Sequence, residues 1–259
     1  MSPRTAALAA LAVGLIALWL AGGASAHPED EICALDSGID PAICRQLEAA
    51  DRGGASIGPF EAAPIADRSM LETAWLYLEI GVRHILPGGT DHILFVLALF
   101  LTSERWRALL WQVSAFTVAH TATLGLAAAG VVSPPAAIVE PLIAASIAVV
   151  AVENLIFKDM TRWRPAVVFG FGLIHGLGFA GFLGEVGLPP DAFWPALIGF
   201  NIGVEVGQLS VVALAFGAAV LIRPVLRRLD WDYRRAVVVP GSLSIAAIGL
   251  WWSVDRVFG

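Results

Sequence analysis

The sequence predicts an all-α fold: a polytopic membrane helical bundle of about six transmembrane helices, the first of them broken, following a signal peptide. Three observations carry that expectation. Of the 259 residues, 58% are hydrophobic and 15% charged, with mean hydropathy +0.76, whereas a soluble domain is about 45–50% apolar and 25% charged. The apolar residues fall in long runs, and beyond Met70 most stretches of roughly 20 residues, enough to cross about 30 Å of hydrocarbon, lack Lys and Arg. Backbone groups in lipid must pair within their own segment, so such runs read as helices. The basic residues that do occur gather in alternate loops.

Residues 1–26 have the three parts of an export signal. Arg4 supplies the positive end, Ala6 to Leu20 the apolar stretch, and Ala24-Ser25-Ala26 a small-residue cleavage site. The alternative is an uncleaved first helix. Cleavage would leave His27 first in the mature chain, on the outer face, where its amine and imidazole offer a weak metal site. Residues 27–69 form a short acidic exported segment. They hold Glu29, Asp30, Glu31, Asp36, Asp40, Glu48, Asp51, Glu61 and Asp67, which accounts for a net charge of -6. The two cysteines, Cys33 and Cys44, lie there too. An oxidising compartment favours a disulfide between them over a metal site. Asp40-Pro41 reads as a helix start, and Gly53 to Pro64 as a linker.

Residues 70–259 form the transmembrane domain. The hydrophobic units run roughly Thr73–Thr102, Trp106–Gly130, Pro135–Phe157, Pro165–Glu185, Phe193–Ile222 and Ala236–Val254. Pro87-Gly88-Gly89 interrupts the first, because proline lacks the amide hydrogen and glycine tolerates the bend. Arg105 and Arg107 follow the first unit, Lys158, Arg162 and Arg164 the third, and Arg223, Arg227, Arg228, Arg234 and Arg235 the fifth. The loops 131–134 and 186–192 have no Lys or Arg. Cytoplasmic loops carry the positive excess. The expected placement is therefore a bacterial-type inner membrane, with the N-terminal segment and the C-terminus on the outer face. The Gly-rich runs Gly170–Gly184 and Gly199–Gly207 read as close helix packing. No basic face is available for phosphates, so nucleic acid is not an expected partner.

Polar groups inside the spans carry the functional signal. His84, His92, His120 and His175 fall in or beside them, with Asp91, Glu140, Glu153 and Glu205, and the amides Asn154, Asn201 and Gln208. Ionisable groups in a bilayer are costly and face partners or polar cavities. At about 1.5 Å per residue, His92, His120 and His175 stand roughly 15–20 Å above the cytoplasmic ends of their helices. Glu140 and Glu205 fall in the outer half, and Glu153 with Asn154 near the cytoplasmic end. Imidazole with carboxylate suits a divalent transition metal such as nickel, cobalt or zinc. The lack of membrane cysteines, and of methionines near these groups, argues against Cu(I). A helix break at membrane depth fits a chain segment lining a cavity.

Five ordered motifs carry a family resemblance. They are His84-Ile-Leu-Pro-Gly-Gly-Thr-Asp91-His92, Phe116-Thr-Val-Ala-His120-Thr, Val139-Glu140 with Val152-Glu153-Asn154-Leu, Phe169-Gly-Phe-Gly-Leu-Ile-His175-Gly-Leu-Gly, and Phe200-Asn201-Ile-Gly-Val-Glu205-Val-Gly-Gln208. Together they resemble the HupE/UreJ membrane family over about Thr73 to Ile222. The better-understood branch of that family consists of nickel permeases tied to hydrogenase and urease maturation. This chain departs from that branch at two points: six residues rather than five separate His84 from Asp91, and the fourth unit has the single histidine His175.

The resemblance implies a secondary permease for nickel or cobalt, with Asp91, His92, His120, His175, Glu205 and His84 as metal residues. Glu140, Glu153, Asn154, Asn201 and Gln208 would support them. The metal is then substrate rather than a tightly bound cofactor. Expected partners are the ion, the lipid bilayer and metal-handling or metalloenzyme-maturation proteins. No Walker-type loop is present, so ATP is not the direct driver. Two other functions stay open: a non-transporting metal-binding or assembly partner, and an intramembrane metalloenzyme. The second lacks the His-Glu-x-x-His spacing of zinc proteases, so an enzyme is not the expected reading.

Overall fold

Ser69 opens the first helix with a capping box. Its hydroxyl accepts from the Glu72 amide at 3.3 Å, and the Glu72 carboxylate accepts from the Ser69 amide at 2.8 Å. Helix α1 then runs Met70–Ile85 and α2 Thr90–Thr102. Five more helices follow: α3 Trp106–Ala128, α4 Ala136–Ile156, α5 Arg164–Gly178, α6 Phe193–Arg228 and α7 Val239–Phe258. A 3-10 turn, Pro190–Ala192, leads into α6, and a π-helical turn, Arg234–Val238, leads into α7. The computed structural model describes residues 69–103, 105–157, 159–178 and 190–258, all of its regular structure helical. The expected signal peptide, the acidic segment through residue 68 and the expected Cys33–Cys44 pairing lie outside the described residues.

Three long interfaces build the bundle: α1 on α6, α4 on α7, and α3 on α5. Short α2 sits among them and touches α1, α3, α4, α6 and α7. Most of its side chains are buried, including Phe95, Val96, Leu99 and Phe100. The long interfaces are closed by glycine. A Cβ at Gly81 would overlap the Phe200 carbonyl, one at Gly203 the Leu78 carbonyl, and one at Gly176 the His120 carbonyl. Backbone contact of this kind drives helix association where no hydrophobic effect operates between lipid and helix. Among the described residues, the glycine runs thus serve helix packing, as their sequence suggests. Gly170, with open space around it, is an exception.

Burial is inverted relative to a soluble bundle. Trp75, Trp111, Trp194, Leu214, Leu221 and Trp251 are exposed, while Gln112, Glu153, Asn154, Arg164, Asn201, Gln208 and the histidines His84, His92, His120 and His175 are buried. Three segments are long and apolar enough to cross a membrane: α4, α6, and the π-helical turn continued by α7. The α1–α2 pair, bent by 69°, qualifies together as a fourth. That is fewer than the six expected, for identifiable reasons. Helix α3 has 23 residues, but Gln112, Ser114, Thr117, His120, Thr121 and Thr123 lower its hydropathy. The described part of α5 has 15 residues, short of a crossing. Helix α6 passes through Pro224 to Arg228, beyond the Phe193–Ile222 expected.

Candidate metal site

The bend between α1 and α2 creates the site. Gly89 accepts no side chain, because a Cβ there would overlap the His84 carbonyl. The start of α2 can therefore lie directly on the last turn of α1. Backbone bonds span the break, Gly89 N–H to Ile85 O at 3.2 Å and Ile93 N–H to Gly89 O at 2.8 Å. The irregular segment thus keeps these backbone groups paired within the chain, as a break in a spanning helix requires. His84 in the last turn of α1 and His92 in the first turn of α2 are brought side by side, with ring centroids 4.8 Å apart.

Helices α3 and α5 complete the cluster. His92 lies 5.9 Å from His120 and 5.2 Å from His175, centroid to centroid. One ring nitrogen from each of His84, His92 and His120 falls within 4.8 Å of the others. All four imidazoles are buried, and Phe95, Phe116 and Phe200 wall them in. The phenyl groups exclude water and supply no competing donor.

Two neighbours set which ring nitrogens are open. The Asn201 side-chain N–H donates to Leu197 O at 2.8 Å, which turns its oxygen toward His120 Nδ1 at 3.1 Å. An amide oxygen only accepts, so Nδ1 holds the proton of the neutral ring and Nε2 keeps its lone pair. The Ser146 hydroxyl donates to Ile143 O at 2.7 Å, leaving its lone pair for His175 Nε2 at 3.0 Å. Nδ1 of His175 is then the open nitrogen. Nε2 of His92, Nε2 of His120 and Nδ1 of His175 are buried with no hydrogen-bond partner among the described residues. Buried polar atoms are nearly always paired. Open nitrogens on three neighbouring rings, two of them left with a lone pair by outer partners that fix the tautomer, have the chemistry of a ligand set for a transition metal.

A family model described as HupE / UreJ protein matches residues 61–256. The chain belongs to the HupE/UreJ family. No curated protein and no solved structure matches it.

In this HupE/UreJ protein three of the expected carboxylates, Asp91, Glu153 and Glu205, are engaged outside the group of facing imidazole nitrogens. Asp91 receives two bonds from Arg256, at 2.9 and 3.2 Å, and Arg256 also donates to the Glu140 carbonyl at 3.2 Å. Glu205 accepts from the Ser114 hydroxyl at 2.6 Å, and Gln208 from Thr117 at 3.2 Å, both across the α3–α6 interface. Glu153 pairs with Arg164 at 3.1 Å and accepts from Thr161 at 2.6 Å. The Asn154 oxygen accepts from Thr102 and Arg164. Its amide group donates to Ala98 O on α2 at 2.8 Å and to the Ser242 hydroxyl on α7 at 3.3 Å.

Three residues in these contacts are not singled out by sequence reasoning. Arg164 reads as one of the loop arginines, yet it is fully buried. Ser146 is a lone serine in an apolar run and carries no signal. Arg256 does carry one, since a cation at the end of the last helix, which the sequence leads one to expect on the outer face, runs against the charge rule that sets orientation.

Proposed function

We propose that this protein is a secondary permease for a divalent transition-metal ion, nickel or cobalt, which passes through the imidazole cluster. The observation that carries this reading is the buried convergence of ring nitrogens from His84, His92 and His120 within 4.8 Å, with the His175 ring and its open Nδ1 packed against His92 outside that group of three. Nitrogen ligands suit these metals. A tetrahedral site with bonds of about 2.1 Å has its ligand atoms roughly 3.4 Å apart, so binding would draw the rings inward from the present spacing. A cluster of neutral ligands also favours release, which conduction requires as much as binding.

The same reading takes the chain as six spans: the bent α1–α2 pair, α3, α4, α5, α6 and α7. The arginine-bearing loops then face the cytoplasm, and both ends of the chain lie outside an inner membrane. His92, His120 and His175 come to one layer, roughly 15–20 Å from the cytoplasmic helix ends. Below His120, the pairs Thr117–Gln208 and Ser114–Glu205 continue down the α3–α6 interface. They would form the inward leg of the path, with Glu205 its carboxylate station: the Ser114 bond puts Glu205 on the cytoplasmic side of His120 in this reading, not in the outer half that the sequence suggests. Ion movement would follow the membrane potential or proton exchange.

The test is uptake of radiolabelled nickel and cobalt by cells, followed by flux into vesicles holding the purified protein. His92→Ala is expected to abolish both at unchanged protein abundance. Flux equal to the wild type would contradict the reading.

A further inference from the structure

Arg256 occupies the last turn of α7. Its guanidinium grips Asp91 with two bonds, at 2.9 and 3.2 Å, and their side chains are 15% and 20% exposed. Its third bond goes to the Glu140 carbonyl, and its Cζ lies 5.5 Å from the centre of the Trp252 ring. Ser253 ties α7 to α4 beside it, through Pro141 O at 3.1 Å. Helices α2, α4 and α7 therefore meet at this ion pair. Asp91 immediately precedes His92, so the pair stands between partly exposed surface and the buried imidazoles.

Bidentate pairing with a guanidinium is among the stronger polar contacts a carboxylate makes. It also gives the pair no net charge to offer an approaching dication. We infer that Arg256 is a resident counter-cation that gates the imidazole site: the incoming metal ion takes Asp91 only by displacing the guanidinium, and the pair re-forms once the ion has moved on. This rests on the permease reading above. Removing the guanidinium frees the carboxylate and removes a positive charge from the mouth, so it should tighten metal binding. A purely structural role would loosen it.

The experiment is equilibrium binding of nickel and cobalt to the purified full-length protein in lipid nanodiscs. Arg256→Gln is expected to bind about tenfold more tightly than the wild type, the scale of a lost charge-assisted competitor. Arg256→Gln should tighten binding much less in an Asp91→Asn background than in the wild type, because only the freed carboxylate depends on Asp91. Arg256→Lys keeps the charge without the two-pronged grip and should fall between, which also serves if the glutamine variant does not fold. Wild-type binding with no tightening in the folded variants overturns the gate and leaves the permease reading standing. A wild-type protein that binds neither metal overturns both.

Discussion

Two buried polar regions of this protein invite comparison. One is the imidazole cluster of His84, His92, His120 and His175. The other is the network of Glu153, Asn154, Arg164, Thr102 and Ser242 near the opposite ends of the helices. In the second, Asn154 uses both its amide group and its oxygen, and Arg164 neutralises Glu153. The atom left over there is Nε of Arg164, a donor that cannot ligate a cation. In the first, three ring nitrogens stay open although they are buried. The network joins α2, α4, α5 and α7 and has little left to offer a metal. The cluster has that capacity. Buried polarity alone therefore does not mark a site, nor does a lone open acceptor such as Gln112 Oε1; unpartnered ring nitrogens gathered on neighbouring side chains do.

Substitutions can break that contrast. The largest effect should come from His92→Ala, which is expected to abolish metal uptake while leaving thermal stability close to wild type. Arg164→Ala should do the reverse. It strands a buried carboxylate at Glu153, and breaking such a pair costs about 3–5 kcal/mol. The expected readout is a clear fall in melting temperature, partly restored in Glu153→Gln/Arg164→Ala.

How far the sequence exposes each region follows from these residues. Each histidine is visible as a polar residue in an apolar run, and the ordered motifs around them point to one family. The bend at Pro87-Gly88-Gly89 is visible too, because it is written in backbone chemistry. The pairing of Asp91 with Arg256 is not, since 165 positions separate them. Arg164 looks like a loop charge because only packing reveals that it turns inward. The six-span expectation is not met at α3, where the polar face that carries His120 also lowers the hydropathy.

Smaller effects sharpen the comparison. Asn201→Ala and Ser146→Ala remove the groups that set the His120 and His175 tautomers. Loss of such outer partners weakens metal binding by about 10–100-fold, so binding should fall that far with the fold intact. Thr117→Val removes one buried bond to Gln208 and should cost about 1 kcal/mol of stability or less, read by denaturant melts.

The most direct measurement is X-ray absorption of the purified protein loaded with nickel or cobalt. Imidazole nitrogens at about 2.1 Å, three or four per ion and lost in His92→Ala, are the expected result. An oxygen-only shell, or imidazole signals unchanged in that variant, would contradict a site built from this cluster.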